Sequence, residues 1–168
     1  MKDTKIEKTV KEDLEQIAEI ISKEFKLSGK EEALWQLSNS KFIDSESVKL
    51  IDPSDNSIKG VLVFCDYPIS IGSPIKHVDE VVDKFLSEFK GVNGHSFIID
   101  EEYRDGKVDK EMLLFNLEYL ATNYDFIWCG VDSNFKTHNY WKRLGFVELL
   151  SIPEATFYIL PLSKKILE

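Results

Sequence analysis

Apolar residues recur at three- and four-residue spacing in several stretches of the chain, and this spacing predicts amphipathic helices. The first helix follows Glu12, and the second runs from Glu31 to Leu37. A third begins at Val78 and ends before Gly91 and Gly94, because glycines punctuate helices. We therefore expect helices both before and after the first strands of a sheet.

A further helix is predicted from Lys110 to Asn123, and this stretch is apolar nearly all round. We expect it to pack between the sheet and another layer, because a helix without a polar face is normally covered on both sides. Its predicted buried residues are Met112, Leu113, Phe115, Leu117, Leu120 and Ala121.

Shorter alternating or continuously apolar runs predict strands. The first is Lys5 to Thr9, and the next two, Ser47 to Ile51 and Ile58 to Asp66, flank a turn-forming Asp-Pro-Ser-Asp-Asn sequence and predict a β-hairpin. The second arm of this hairpin is apolar on both faces, so we expect a central strand. The remaining predicted strands are Ser96 to Ile99, Phe126 to Val131, Val147 to Ile152 and Thr156 to Leu160.

The stretch from His95 to Phe146 reads as strand, turn with Gly106, long helix, strand, second helix and a Leu-Gly-Phe stop. This order is typical of a βαβα unit in which a helix begins at the mouth of a parallel strand pair. Such a mouth gathers backbone N–H groups and the positive end of the helix dipole. It therefore favours a ligand that carries phosphate.

Length and composition limit the remaining possibilities. With 168 residues and 43% hydrophobic residues, the chain predicts a single globular domain covering residues 1–168. Its net charge of -9, without a basic cluster, disfavours nucleic acid or an anionic membrane as the partner. The N-terminus has no apolar signal segment and no stretch reaches the roughly 20 apolar residues of a membrane span, so we expect a cytoplasmic protein.

The cysteines and histidines offer little chemistry. Cys65 and Cys129 each lie in an apolar run, which favours buried free thiols over a disulfide or a nucleophile. His77, His95 and His138 are far apart and none has the spacing of a metal ligand, so we expect no metal site.

Several motifs together resemble the GNAT superfamily of N-acetyltransferases, in which a strand leads through V-x-P-x-Y-R-G-x-G-x-G/A into a long helix. The matching segment is Ile99-Asp-Glu-Glu-Tyr-Arg104, followed by residues 105–109, Asn134 and Trp141-Lys-Arg-Leu-Gly-Phe146. Without a gap, the two loop glycines of the family fall on Lys107 and Asp109. A slip of one residue retains Gly106 but places Val108 at the last small position.

The resemblance implies an α/β (α+β) fold with a mixed, mostly antiparallel sheet of six to seven strands flanked by helices. The helix predicted around Val78 to Phe89 is additional to the family plan and lies between the third and fourth strands. It could cover one edge of the acceptor cleft, form a homodimer contact, or only cap the core. The resemblance also implies acetyl-CoA as co-substrate and an amine as acceptor, with acceptor contacts between Phe25 and Phe42; Trp35 would either line the acceptor pocket or simply pack.

The resemblance places the donor site on one strand and the loop after it. The strand edge would pair with the pantetheine amides, Arg104 and Lys107 would neutralise the diphosphate, and backbone N–H groups of the loop would point at it. The implied donor-binding residues are Phe97, Ile98, Ile99, Arg104, Asp105, Gly106, Lys107, Val108, Asp109 and Asn134.

Asp109 also has an alternative role. An Asp just before a helix is commonly an N-cap, whose carboxylate would occupy the N–H groups that a phosphate needs. We therefore predict that the Asp109 carboxylate caps the helix and competes with the diphosphate.

Acyl transfer to an amine requires a base and a proton donor for the leaving thiolate. The candidate bases are Glu101, Glu102 and Asp100 at the end of the strand that leads into the loop, with His95 at the start of that strand. The frequent Tyr general acid of the family falls on Trp141, whose indole is not a useful proton donor. Tyr140 is the remaining candidate, with His138 nearby.

These observations predict an N-acetyltransferase that moves an acetyl group from acetyl-CoA to a primary amine of a small molecule or protein. The alternative is a catalytically silent GNAT-like domain that binds a ligand or a protein. A third reading, an unrelated βαβ nucleotide-binding domain, requires a fully parallel sheet. The hairpin from Ser47 to Asp66 argues against that reading.

Overall fold

The computed structural model describes residues 3–66, 87–104, 106–134, 138–153 and 155–163. The chain forms two compact units: Met1–Asp66 with Gly94–Glu118, and Tyr67–Asn93 with Tyr119–Glu168. The predicted helix around Val78 to Phe89 lies almost entirely outside the described residues. Within the described ranges, no helix is both long enough and apolar enough to cross a bilayer.

The described helices follow the apolar spacing of the sequence. Their bounds are α1 Leu14–Glu24, α2 Lys30–Asn39, α3 Val108–Asn123 and α4 His138–Arg143. Helix α1 buries Ile17, Ala18 and Ile21, which share one face because they are three and four residues apart. Phe25 caps its C-terminus, and the next residue, Lys26, has a φ of 52° that turns the chain out of the helix.

The strands are β1 Lys5–Lys8, β2 Val48–Asp52, β3 Ser57–Cys65, β4 Gly91–Ile99, β5 Phe126–Asp132, β6 Val147–Ser151 and β7 Ala155–Pro161. They form a seven-stranded sheet in the order β1-β2-β3-β4-β5-β7-β6. Strands β4 and β5 are parallel, while β1 with β2, β2 with β3, β5 with β7 and β6 with β7 are antiparallel. The predicted mixed, mostly antiparallel sheet is therefore confirmed, as is the hairpin of β2 and β3.

In the first unit, the core is formed by α1, α2 and the apolar faces of β2 and β3. Leu50, Val61, Val63 and Cys65 are fully buried. Because both faces of β3 are covered, its sequence is apolar without alternation. The prediction of a central strand there is confirmed.

In the second unit, β5, β6 and β7 enclose an aromatic core. Phe126, Trp128, Phe157 and Ile159 pack together, and Leu150 lies against them. Strand β6 turns into β7 where the Ile152 N–H donates to the carbonyl of Ala155 at 2.9 Å. The predicted closing hairpin is confirmed.

Strand β4 begins earlier than predicted. Gly91 and Gly94 were expected to end a helix, but both lie within the strand. Gly91 is required there for another reason: a Cβ atom at this position would lie 2.4 Å from the ring of Phe126 on β5. Gly91 is therefore explained by the close approach of β4 and β5. In the sequence alone, such a glycine looks the same as one that ends a helix.

The exposure of two helices also differs from the prediction. Phe115 on α3 is 49% exposed and Ala121 is exposed, while Asn116 is buried. The Asn116 side chain is satisfied in part, because its Nδ2 donates to the carbonyl of Glu46 at 2.6 Å. Trp35 on α2 is 67% exposed, so the expectation that it simply packs is wrong. Both errors arise because apolar spacing shows which residues share a face but not whether that face is covered.

Candidate functional site

A short loop joins the end of β4 to α3. Its first residues, Glu101–Tyr103, form a 3-10 turn, and Arg104 and Gly106 follow. Gly106 has a φ of +76°, and a Cβ atom built on it would meet no atom within 4 Å. The left-handed backbone favours glycine here, so the loop register that retains Gly106 is the one that matches the geometry.

Asp109 does not cap α3, and this prediction is wrong. The helix already begins at Val108, and the carbonyl of Lys107 accepts the N–H of Glu111 at 2.9 Å. Asp109 is therefore inside the first turn, and its Oδ1 is buried without a hydrogen-bond partner among the described residues. Because the helix begins at the buried Val108, Asp109 lies too far into the first turn to act as its N-cap.

The two basic side chains of the loop have different surroundings. The Arg104 guanidinium donates through Nε to the carbonyl of Ile99, and a terminal nitrogen lies 3.7 Å from the Glu24 carboxylate on α1. Lys107 lies 3.2 Å from Glu111, one turn into α3. Both cations remain about half exposed or more, so a phosphate could still reach them.

A cleft of about 480 Å³ lies in the first unit between α1 and the end of β4. Acidic groups outnumber basic ones along its walls, and two isoleucines provide apolar surface. Its lining consists of Gln16, Glu19, Ile20, Lys23, Glu24, Ile98, Asp100, Glu101 and Arg104. The cleft therefore opens directly beside Arg104, the first basic residue of the loop.

The strand residues predicted to contact the donor lie on β4. Ile98 and Ile99 are each 5% exposed, and Phe97 is partly buried. The parallel ladder with β5 consists of Gly91–Asn93, so the three predicted residues follow it along the strand.

The candidate bases differ in their surroundings. Glu101 and Glu102 are exposed on the 3-10 turn, and Glu101 lines the cleft. His95 is partly buried on β4, with Nδ1 2.7 Å from the hydroxyl of Ser96. Burial lowers the pKa of His95 below its usual value of 6.5, so the imidazole is neutral at pH 7 and can accept a proton.

The short helix α4 is held by aromatic packing within the second unit. Trp141 contacts the ring of Phe146 edge to face at 5.2 Å, and the ring of Tyr140 lies 5.6 Å from that of Trp141. Phe146 is buried, whereas Tyr140 is partly exposed. The residue that matches the family's tyrosine is therefore a packing residue, and its neighbour carries the hydroxyl.

Asn134 and Asp105 are the remaining predicted donor-binding residues. Asn134 lies in the turn after β5, where its backbone N–H and its Nδ2 both donate to Oδ1 of Asp132 at 2.8 Å. It is exposed. Asp105 lies outside the described residues.

Both cysteines are buried and free, as predicted. Burial raises the pKa of Cys65 to about 12 and also raises the pKa of Cys129, so both thiols stay protonated. In the described part of the chain, no group of three His, Cys, Asp or Glu side chains is arranged to hold a metal ion.

The fold matches solved structures, although no family model and no curated protein matches the sequence. A mosquito arylalkylamine N-acetyltransferase-like protein superposes with a TM-score of 0.68 at 15% identity, over 95% of this chain and all 100% of the other. A GNAT N-acetyltransferase from Escherichia coli, solved with CoA, gives 0.67 at 14% identity, over 99% and 86% of the two chains.

The chain therefore has the GNAT fold. An N-acyl amino acid synthase from uncultured soil microbes has a similar fold, with a TM-score of 0.67 at 14% identity over 95% of this chain and 91% of that one. The predicted fold resemblance is thus confirmed. The roles of individual residues stay predictions.

Sequence reasoning did not find two contacts that fix the loop. One joins Tyr103 to Asp52, which are 51 positions apart, and the other joins Arg104 to Glu24 on α1. Neither pair has a local sequence signal, because each depends on which elements meet in the folded unit.

Proposed function

We propose that this protein is a cytoplasmic N-acetyltransferase that moves an acetyl group from acetyl-CoA to a primary amine of a small molecule or protein. The observation that carries the proposal is the loop before α3 in a GNAT fold. Gly106 adopts a positive φ there, and Asp109 does not cap the helix that follows. The positive φ of Gly106 supports the proposal, because it lets the backbone approach a phosphate closely at the start of that helix.

The donor would be held by groups of the strand and the loop. Backbone amides of Phe97, Ile98 and Ile99 are proposed to pair with pantetheine, and Arg104 with Lys107 to neutralise the diphosphate. The loop residues Asp105, Gly106, Val108 and Asp109 contribute backbone N–H groups in this proposal, and Asn134 is proposed as a further contact.

The reaction requires that the amine attack the thioester carbonyl, lose a proton and release the CoA thiolate. His95 is proposed as one candidate base, because burial lowers the pKa of its imidazole and keeps it neutral at pH 7. Glu101 and Glu102 are retained as alternative bases. Tyr140 is proposed to protonate the thiolate.

The decisive experiment measures acetyl-CoA binding by calorimetry and thiol release with a panel of primary amines. We expect acetyl-CoA to raise the melting temperature, and at least one amine to release CoA. Sedimentation of the same protein tests whether it is a homodimer. Absence of any binding at millimolar acetyl-CoA would contradict the proposal.

A second candidate is a catalytically silent domain that binds CoA or another ligand without turnover. The specific observation that favours it is Trp141, which stands at the family's tyrosine position and packs on Phe146. Binding of CoA without thiol release for any amine would support this candidate over the enzyme.

A further inference from the structure

The hydroxyl of Tyr103 connects the donor-binding loop to the β2–β3 hairpin. It donates to Oδ2 of Asp52, the last residue of β2, at 2.6 Å. The tyrosine is only 7% exposed, although the two glutamates before it in the 3-10 turn are exposed. A buried tyrosine at the end of an otherwise exposed turn indicates that this side chain anchors the turn.

Hydrogen bonds within the hairpin turn hold the Asp52 carboxylate in place for this bond. The other oxygen of Asp52 accepts the backbone N–H of Ser54 at 2.8 Å and its hydroxyl at 2.6 Å. These bonds lower the pKa of Asp52 to about 2, so the carboxylate stays ionised and its hydrogen bond from the tyrosine is charge-assisted. One carboxylate therefore closes the hairpin turn and holds the loop.

Two further contacts join the same parts of the first unit. The N–H of Asp100 donates to the carbonyl of Lys59 on β3 at 2.7 Å. The ammonium of Lys59 lies 5.9 Å from the centre of the Tyr103 ring. The chain is thus held at Asp100, directly before the 3-10 turn, and again at Tyr103, directly before Arg104.

We infer that Tyr103 is a positioning residue for the acyl donor: through Asp52, it fixes the backbone from which Arg104 and Gly106 meet the diphosphate. This inference rests on the proposed function. It assigns control of donor affinity to a hairpin that has no proposed contact with acetyl-CoA itself.

The test replaces the hydroxyl alone. In Tyr103→Phe the ring and its packing remain, and we expect the Kd and KM for acetyl-CoA to rise about five- to tenfold. If His95 is the base, the kcat and the KM for the amine should stay within about twofold, because His95 and Tyr140 lie outside the loosened turn. General loss of folding would instead lower kcat and the active fraction.

Two variants and one control complete the test. Asp52→Ala should reproduce the loss of donor affinity, and the double variant with Tyr103→Phe should bind the donor no more weakly than Asp52→Ala alone, because both changes remove the same bond between Tyr103 and Asp52. Asp52→Asn should restore part of the affinity lost in Asp52→Ala. Ser57→Ala is the matched control, since its hydroxyl bonds Asp55 in the same turn and leaves Asp52 untouched.

Hydrogen exchange provides a readout without any ligand. Amides of residues 100–108 should exchange faster in Tyr103→Phe than in the wild type, while α1 and β3 stay unchanged. If the wild type binds acetyl-CoA and Tyr103→Phe binds it equally well, the inference is overturned and the proposed function stands. If the wild type does not bind acetyl-CoA, both are overturned.

Discussion

The loop before α3 and the short helix α4 are built differently. The loop presents polar and charged groups, with Arg104 and Lys107 about half exposed or more and Gly106 in open space. Helix α4 is fixed by aromatic packing, in which Trp141 lies against Phe146. A polar loop can change its partners when a ligand arrives, whereas a packed aromatic side chain cannot leave without opening the core.

This difference separates donor binding from proton transfer. The proposed diphosphate site depends on the exposed cations and the positive φ of the loop, and α4 carries Trp141 where the resemblance predicts a tyrosine. If the protein is an enzyme, its proton donor has moved to a neighbouring residue. Variants in the loop and in α4 can therefore test the two regions separately.

The largest effect is expected on α4. Tyr140→Phe should lower kcat about a hundredfold, because a positioned proton donor contributes about that much or more. Donor affinity should not change, since the proposed donor contacts lie elsewhere. Steady-state thiol release together with calorimetry measures both quantities.

Tyr124→Phe serves as the control for this variant. Tyr124 belongs to the same unit, and its ring lies 4.6 Å from the Lys90 ammonium. Its hydroxyl has no proposed role, so kcat should be retained. An unchanged kcat in Tyr140→Phe would assign α4 to packing alone and favour the silent domain.

Variants in the loop should change donor affinity more than kcat. Arg104→Ala is expected to weaken acetyl-CoA binding about thirtyfold, because a charge-assisted hydrogen bond to phosphate is worth about 2 kcal/mol. Lys107→Ala is the comparison, and its loss should be smaller because an ammonium binds phosphate as a point charge. Equal affinity of Arg104→Ala and wild type in calorimetry would remove the loop from the donor site.

A pH profile distinguishes the candidate bases. If His95 is the base, kcat falls about tenfold per pH unit below its pKa, which burial holds under 6.5. The neutral form is the active one, so activity is retained above that pKa and lost below it. His95→Gln should remove this acid limb, and Glu101→Gln should not. The reverse result would move the role of base to the exposed turn.

Gly106→Ala tests the backbone of the loop. A φ of +76° costs a residue with a side chain about 1 kcal/mol, so we expect a similar loss of stability and about fivefold weaker donor binding. Gly29→Ala is the comparison: its φ of 170° is extended backbone that alanine can adopt, and because Gly29 is the N-cap of α2, any loss of stability there should leave donor binding unchanged. Chemical denaturation and calorimetry measure the two effects. Equal behaviour of the two variants would show that the loop geometry is unimportant for the donor.

The fold could be predicted further than the site. Spacing located the helices and strands because burial of one face repeats along a local segment, as in α1 and β3. The start of β4 was missed because Gly91 makes room for the ring of Phe126, and a cap was wrongly predicted at Asp109 because the helix begins at the buried Val108. Both depend on which distant residues meet, and neither has a local signal.

The smallest effect concerns the contact between Glu24 and Arg104. The carboxylate lies 3.7 Å from the guanidinium, so it competes with an incoming diphosphate for the same cation. Glu24→Gln should therefore bind acetyl-CoA about two- to threefold more tightly. The gain is modest because an exposed ion pair is worth less than about 1 kcal/mol.

Glu19→Gln is the control for the general change in charge. Glu19 lies on the same helix and lines the same cleft, but it does not have this contact with Arg104. The difference between the two variants should shrink as salt is added, since screening weakens exposed pairs. Equal gains in both variants would show that the acidity of the cleft as a whole opposes the donor, and that Arg104 is free to meet it from the start.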